Sequence, residues 1–146
     1  MKINNKLIDT NIITAKLSND LSVTATSGLI PLNDVIKIGN KLTLSNNKII
    51  IGSGVSKVKI SGNMRMSTSS TSVLGVNLNI FRNGTDYVAS NRTSLNLYDG
   101  ISTATRLIEV QEGDEITLNY WKSNSTTAMT IMSGYGSTYL TVEVVE

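Results

Sequence analysis

The stretch Lys57-Val58-Lys59-Ile60-Ser61-Gly62-Asn63-Met64-Arg65-Met66 decides the fold. Val58, Ile60, Gly62, Met64 and Met66 fall on one face, and Lys57, Lys59, Ser61, Asn63 and Arg65 on the other. Successive strand residues point to opposite faces, whereas a helix gathers positions three and four apart. The alternation therefore predicts a strand over residues 58–66 with one dry and one wet face.

The same period continues on both sides of this strand. Val76, Leu78 and Ile80 point inward while Asn77 and Asn79 point outward. Ile116, Leu118 and Tyr120 alternate with Thr117 and Asn119, and Leu140, Val142 and Val144 with Thr141 and Glu143. Asn83-Gly84 is the dipeptide that a tight hairpin uses for positive φ at both central positions. Asp99-Gly100, Glu112-Gly113-Asp114 and Gly134-Tyr135-Gly136 read as further turns. Short alternating strands between regularly spaced turns predict an all-β fold in which two antiparallel sheets pack face to face. Pro31 fits a strand entry or an edge, because it has no N–H to give a central ladder.

One domain is expected from 146 residues. Residues 1–20 lack clean alternation and are read as an attachment arm preceding a domain at 21–146, although Ile12 to Leu17 is equally readable as the first strand of the same sandwich. Forty per cent hydrophobic and 16% charged residues exclude a disordered polyelectrolyte. A net charge of +2 with scattered lysines leaves no electrostatic footprint for nucleic acid. No apolar run is long enough for a membrane helix, so membrane insertion is not expected. The chain has neither cysteine nor histidine, which removes the thiolate nucleophile, the commonest zinc ligand and the commonest general base. No cofactor, metal or catalytic residue is assigned, and the chain is not expected to be an enzyme.

Four segments, in order, carry a family resemblance: GNKLTLSNNKIIIGSGVSKVKISGN at 39–63, VNLNIFRNGTDY at 76–87, RLIEVQEGDEITLNYW at 106–121 and GYGSTYLTVEVVE at 134–146. Together they resemble the tumour-necrosis-factor and complement-globular-head jelly roll, particularly its versions in phage tail and receptor-binding proteins. The resemblance runs from about Leu21 to Glu146 and departs from the complement heads in aromatic content, with Phe81 the only phenylalanine. It implies an antiparallel two-sheet jelly-roll sandwich that assembles as a homotrimer. It also implies a place in a bacteriophage virion, in the tail or on the outer surface, and binding of a host glycan, a host protein or another virion subunit. The alternative is a monomeric carbohydrate-binding or adhesin-like module of a bacterial surface.

Trp121 is the only tryptophan and lies out of phase with Ile116, Leu118 and Tyr120, which places its ring on the face away from the core. Tryptophan suits a subunit seam, a sugar-stacking platform or packing under a loop, and all three readings stand. Tyr98 and Tyr135, beside turn glycines, are candidate binding tips or partly buried strand ends. Glu109, Glu112, Asp114 and Glu115 resemble neither a calcium loop nor an established carboxylate pair and read as a solvated turn. Lys57, Lys59 and Arg65 form a basic stripe that could meet an anionic cell-wall polymer and is read instead as protection of a sheet edge.

Overall fold

A computed structural model describes residues 10–146. Its strands, numbered along the chain, are β1 (Ile12–Lys16), β2 (Leu21–Val23), β3 (Ser27–Leu29), β4 (Asp34–Ile38), β5 (Leu42–Ser45), β6 (Lys48–Ile51) and β7 (Lys57–Ser67). They continue with β8 (Leu74–Arg82), β9 (Asp86–Leu95), β10 (Tyr98–Ser102), β11 (Arg106–Glu109), β12 (Glu115–Lys122), β13 (Met129–Ile131) and β14 (Tyr139–Val144). All pairings are antiparallel, in two sheets.

The decisive stretch becomes β7, the central strand of an eight-stranded sheet. Asn63 pairs with Tyr139 of β14 on one side and Ser102 of β10 on the other. Thus β14 and β13 follow each other along one edge of β7, and β11 and β10 along the opposite edge. The sheet extends through β14 to β1 and ends at β4, while β2 borders β13. The six-stranded sheet runs β5-β6-β12-β8-β9, and β3 pairs with β12 beyond the end of β6.

The predicted inward residues meet between the sheets. Val58, Ile60, Met64, Met66, Leu140 and Val142 from one sheet are buried against Val76, Leu78, Ile80, Ile116, Leu118 and Tyr120 from the other. Gly62 faces the other sheet where no side chain fits. A Cβ there would stand 2.7 Å from Leu118 Cδ1 and 3.4 Å from Ile80 Cδ1, so the missing side chain leaves room for leucine from the facing sheet. Lys122 continues the inward phase of Ile116, Leu118 and Tyr120 and is fully buried. Its ammonium donates to the Asn124 and Thr127 carbonyls at 2.6 and 2.9 Å, tying down the loop after β12. Burial pushes this ammonium below the ordinary lysine range.

Several sequence expectations shift. β1 is inserted between β14 and β4 with Ile13 and Ala15 fully buried, so Ile12–Lys16 belongs to the sandwich and the first strand begins well before residue 20. Residues 1–9 of the expected arm lie outside the described residues. Asp99-Gly100 sits inside β10 rather than in a turn. The chain instead reverses at Asn96-Leu97, where Leu97 adopts φ 62° and the backbone passes from the six-stranded to the eight-stranded sheet. Asn83 and Gly84 take the expected positive φ, 53° and 79°, but the connection has three residues because the β8–β9 pairing carries an irregularity at Ile80/Phe81. The two-residue reversal is Asn46-Asn47, with φ 49° and 64°, closing Ser45 against Lys48. The basic stripe lies on the central strand and not on an edge; Lys57 is ion-paired to Glu146 at 2.5 Å, which raises its pKa above the ordinary lysine value.

The acidic cluster divides into separate structural roles. Asp114 is buried, and its carboxylate accepts from the Gln111 N–H at 3.0 Å and from Asn83 Nδ2 at 2.8 Å. Asn83 Oδ1 accepts from the Glu115 N–H, so the β8–β9 and β11–β12 turns are bolted together. Glu115 also pairs with Lys48 at 2.6 Å.

Candidate functional site

Each sheet presents an outer face, and the strand registers determine which side chains meet there. On the six-stranded sheet, Trp121 lies opposite Asn77 on one side and Ser27 on the other, and Asn77 lies opposite Arg92. One row therefore reads Ser27, Trp121, Asn77, Arg92 across β3, β12, β8 and β9. The next reads Leu29, Asn119, Asn79, Ser90, and beyond it Thr117 faces Phe81, which faces Tyr87. The outward placement of Trp121 follows directly from its phase on β12.

These rows form a surface with an aromatic wall and a polar floor. The Arg92 guanidinium reaches past Asn77 to stand 5.7 Å from the Trp121 ring centroid, within cation–π range. Phe81 and Tyr87 pack with centroids 4.3 Å apart at 54°, leaving Tyr87 66% exposed. Ser90 donates to Asn79 Oδ1 at 2.7 Å, and Thr117 to Asn119 Oδ1 at 2.8 Å. Asn77 Oδ1 is buried and has no hydrogen-bond partner. Leaving a buried carbonyl unpaired costs about 1–3 kcal/mol. Two adjoining depressions, of about 310 and 270 Å³, share Asn79, Tyr87 and Trp121. No acidic side chain lines either of them, and no ion pair engages Arg92 among the described residues.

The outer face of the eight-stranded sheet has a different character. Its middle is small and polar: Thr14 and Thr141 hydroxyls meet at 2.9 Å, with Ser61 opposite Thr141. Its margins are apolar. Ile36 and Ile38 on edge strand β4 stand opposite Thr14 and Ile12 and are 61% and 59% exposed. Leu107 on β11, at the other margin, stands opposite Lys59 and is 60% exposed. Asp34 pairs with Lys16 at 3.2 Å across β4 and β1, and the hydrogen bond from Lys16 lowers the Asp34 pKa below the usual carboxylate value. Tyr135 lies beneath the Lys16 ammonium, 4.5 Å from its ring centroid. Tyr98 is 74% exposed at the start of β10 beside Arg65 and Met132.

The three aromatic candidates thus do not form one site: Trp121 belongs to the six-stranded sheet, while Tyr98 and Tyr135 border the eight-stranded one. Sequence reading missed Tyr87, Arg92, Asn77 and Asn79 as neighbours of Trp121, because only the pairing register brings them together. It also missed Ile36 and Ile38, although Asp34-Val35-Ile36-Lys37-Ile38 carries three β-branched residues among two charged ones. Among the described residues, no three acidic, histidine or cysteine side chains gather as a metal site.

No family model matches the chain, and no curated protein does. Solved structures do. Murine APRIL at pH 5.0 superposes with a TM-score of 0.69 at 12% identity, covering 93% of this chain and 99% of that one. Murine APRIL at pH 8.5 gives 0.64 at 12% identity, and at pH 8.0 gives 0.64 at 11% identity, with the same coverage. Identity this low carries the architecture and nothing finer, and that architecture is the tumour-necrosis-factor-like jelly roll.

Proposed function

We propose that this chain is a non-catalytic binding domain that assembles as a homotrimer in a bacteriophage particle, in the tail or on the outer surface, where it holds a host-cell glycan or protein or a neighbouring virion subunit. One observation carries the assembly: Ile36, Ile38 and Leu107 stay about three-fifths exposed at opposite margins of one sheet face. An apolar, uncovered edge strand such as β4 invites association unless something seals it. Contact between the β4 margin of one copy and the β11 margin of the next is heterologous, and heterologous contacts close into rings when the rotation allows. Threefold closure is what the jelly-roll resemblance implies. The phage location is supported by the resemblance of the four quoted segments to jelly rolls of phage tail and receptor-binding proteins.

Light scattering coupled to size-exclusion chromatography tests the assembly. The expected mass is three times 15.7 kDa; a monomer persisting at high concentration overturns the trimer. Mass spectrometry of purified phage particles tests the location, and absence of the chain from them overturns it. The second reading, a monomeric carbohydrate-binding module of a bacterial surface, is favoured by the Trp121 face, which one chain completes by itself.

A further inference from the structure

We propose that the outer face of the six-stranded sheet is a saccharide site in which a sugar ring stacks on Trp121 and an anionic substituent of the glycan is held by Arg92. The inference deepens the binding-domain reading by choosing a ligand class and a place for it.

Four observations converge on this face. Trp121 is only half-buried, although the largest apolar side chains of its strand are otherwise turned into the core. A flat indole offers the apolar C–H face of a pyranose a matching surface, and its edge stays free for polar contacts. The floor beside it is amide and hydroxyl: Asn77, Asn79, Asn119 and Ser90. Sugar hydroxyls both donate and accept, so a mixed floor of this kind suits them better than an apolar partner surface would.

Asn77 Oδ1 is the most specific sign. It is the one buried side-chain oxygen or nitrogen among the described residues that finds no partner. Such an atom calls for an explanation, and a ligand hydroxyl donating to it supplies one. Arg92 spans Asn77 to reach the Trp121 ring, so moving its exposed side chain toward a ligand opens the path to that carbonyl. Its guanidinium is planar, always charged and matched to carboxylate or phosphate oxygens. With no acidic side chain on the lining, nothing in the site competes for it.

The chain offers a clean readout, because Trp121 is its only tryptophan and emission excited selectively at tryptophan, beyond the absorption of the five tyrosines, reports this face. The full chain is titrated at up to millimolar concentration with three probes built on sugar rings: polygalacturonate oligomers, phosphorylated dextran oligomers and neutral dextran oligomers. A saturable emission change with at least one anionic probe, at least tenfold tighter than with dextran, is expected. Preference between the first two separates a carboxylate from a phosphate as the anionic substituent. In calorimetry, Arg92→Met should weaken the anionic probe about tenfold or more and leave any dextran signal unchanged; Trp121→Leu should abolish both, with circular dichroism verifying the fold. Silence with all three probes overturns the site, and equal binding of dextran overturns the role of Arg92. All lining residues come from one chain, so a monomeric mass in light scattering overturns the trimer while leaving this result readable.

Discussion

Replacing Ile36 with lysine places a charge on the sheet margin through which self-association is proposed, and the cost follows from exposure. Full burial of an isoleucine side chain contributes about 1.5–3 kcal/mol. In the single chain 61% of Ile36 remains exposed, so sealing that part contributes about 1–2 kcal/mol per copy and about 3–6 kcal/mol over three copies. At about 1.4 kcal/mol per tenfold, its loss weakens trimerisation roughly a hundredfold to ten-thousandfold. The fold of one copy should hardly respond, since an exposed surface substitution moves stability by about 0.5 kcal/mol or less. The assay is a dilution series in light scattering alongside thermal unfolding of the same samples. Val73 provides the control: it is also 61% exposed but lies in the loop between β7 and β8, away from either margin. Ile36→Lys and Leu107→Lys should dissociate the trimer at concentrations where Val73→Lys does not. If all three variants dissociate alike, or none does, the margins of the eight-stranded sheet are not the interface.

Gly62→Ala should destabilise the domain by about 1–3 kcal/mol in urea unfolding, because its backbone has no positive φ to strain and the whole cost is the 2.7 Å encounter with Leu118; a change below about 0.5 kcal/mol would mean that the sheets separate easily. Lys122→Ala should cost about 3–5 kcal/mol, from roughly three buried methylenes plus two hydrogen bonds made by a charged donor, offset in part by relief of desolvation. Lys122→Met restores the apolar stem and should recover about half of that loss in the same experiment. Asp34 and Asp20 have pKa values lowered in the fold, Asp34 mainly by the Lys16 hydrogen bond and Asp20 mainly by the Ser133 N–H. Their contribution is therefore complete above the usual carboxylate range and disappears as pH falls through the lowered values. Thermal midpoints should fall on acidification, with a shallower slope in the Asp34→Asn, Asp20→Asn double variant.

The sheets were readable wherever one face is dry and the other wet. β7, β8 and β12 each bury the apolar residues that their alternation indicates, and β14 buries Leu140 and Val142 with Val144 partly covered, since a one-residue slip would turn a whole apolar set into water. Two features resisted. Asp99-Gly100 has turn chemistry but lies in β10, because Leu97, a residue with no such propensity, takes the left-handed conformation at the crossing between sheets. Tertiary pairing on both sides outweighs local preference there. Lys122 also follows its strand's phase into the core, and what makes that tolerable is a pair of loop carbonyls two and five residues further along the chain, a geometry that composition does not encode. For the Trp121 face, orientation was available from phase alone. Its partners come from β8 and β9, and the irregularity at Ile80/Phe81 sets which β9 residues stand beside it.

The union of β1 with β14 has a consequence in time. The hydroxyls of Thr14 and Thr141 touch across 127 positions of sequence, and β1 divides β4 from the rest of its sheet. Until β14 has been synthesised, β1 and β4 have no sheet to join and β7 lacks the neighbour along most of one edge. Loop closure over such a span must be met before its contacts form, which slows folding. A growing chain therefore carries β7 with most of one edge open from the synthesis of residue 67 until residues 139–144 follow, and the sandwich closes only once they are available.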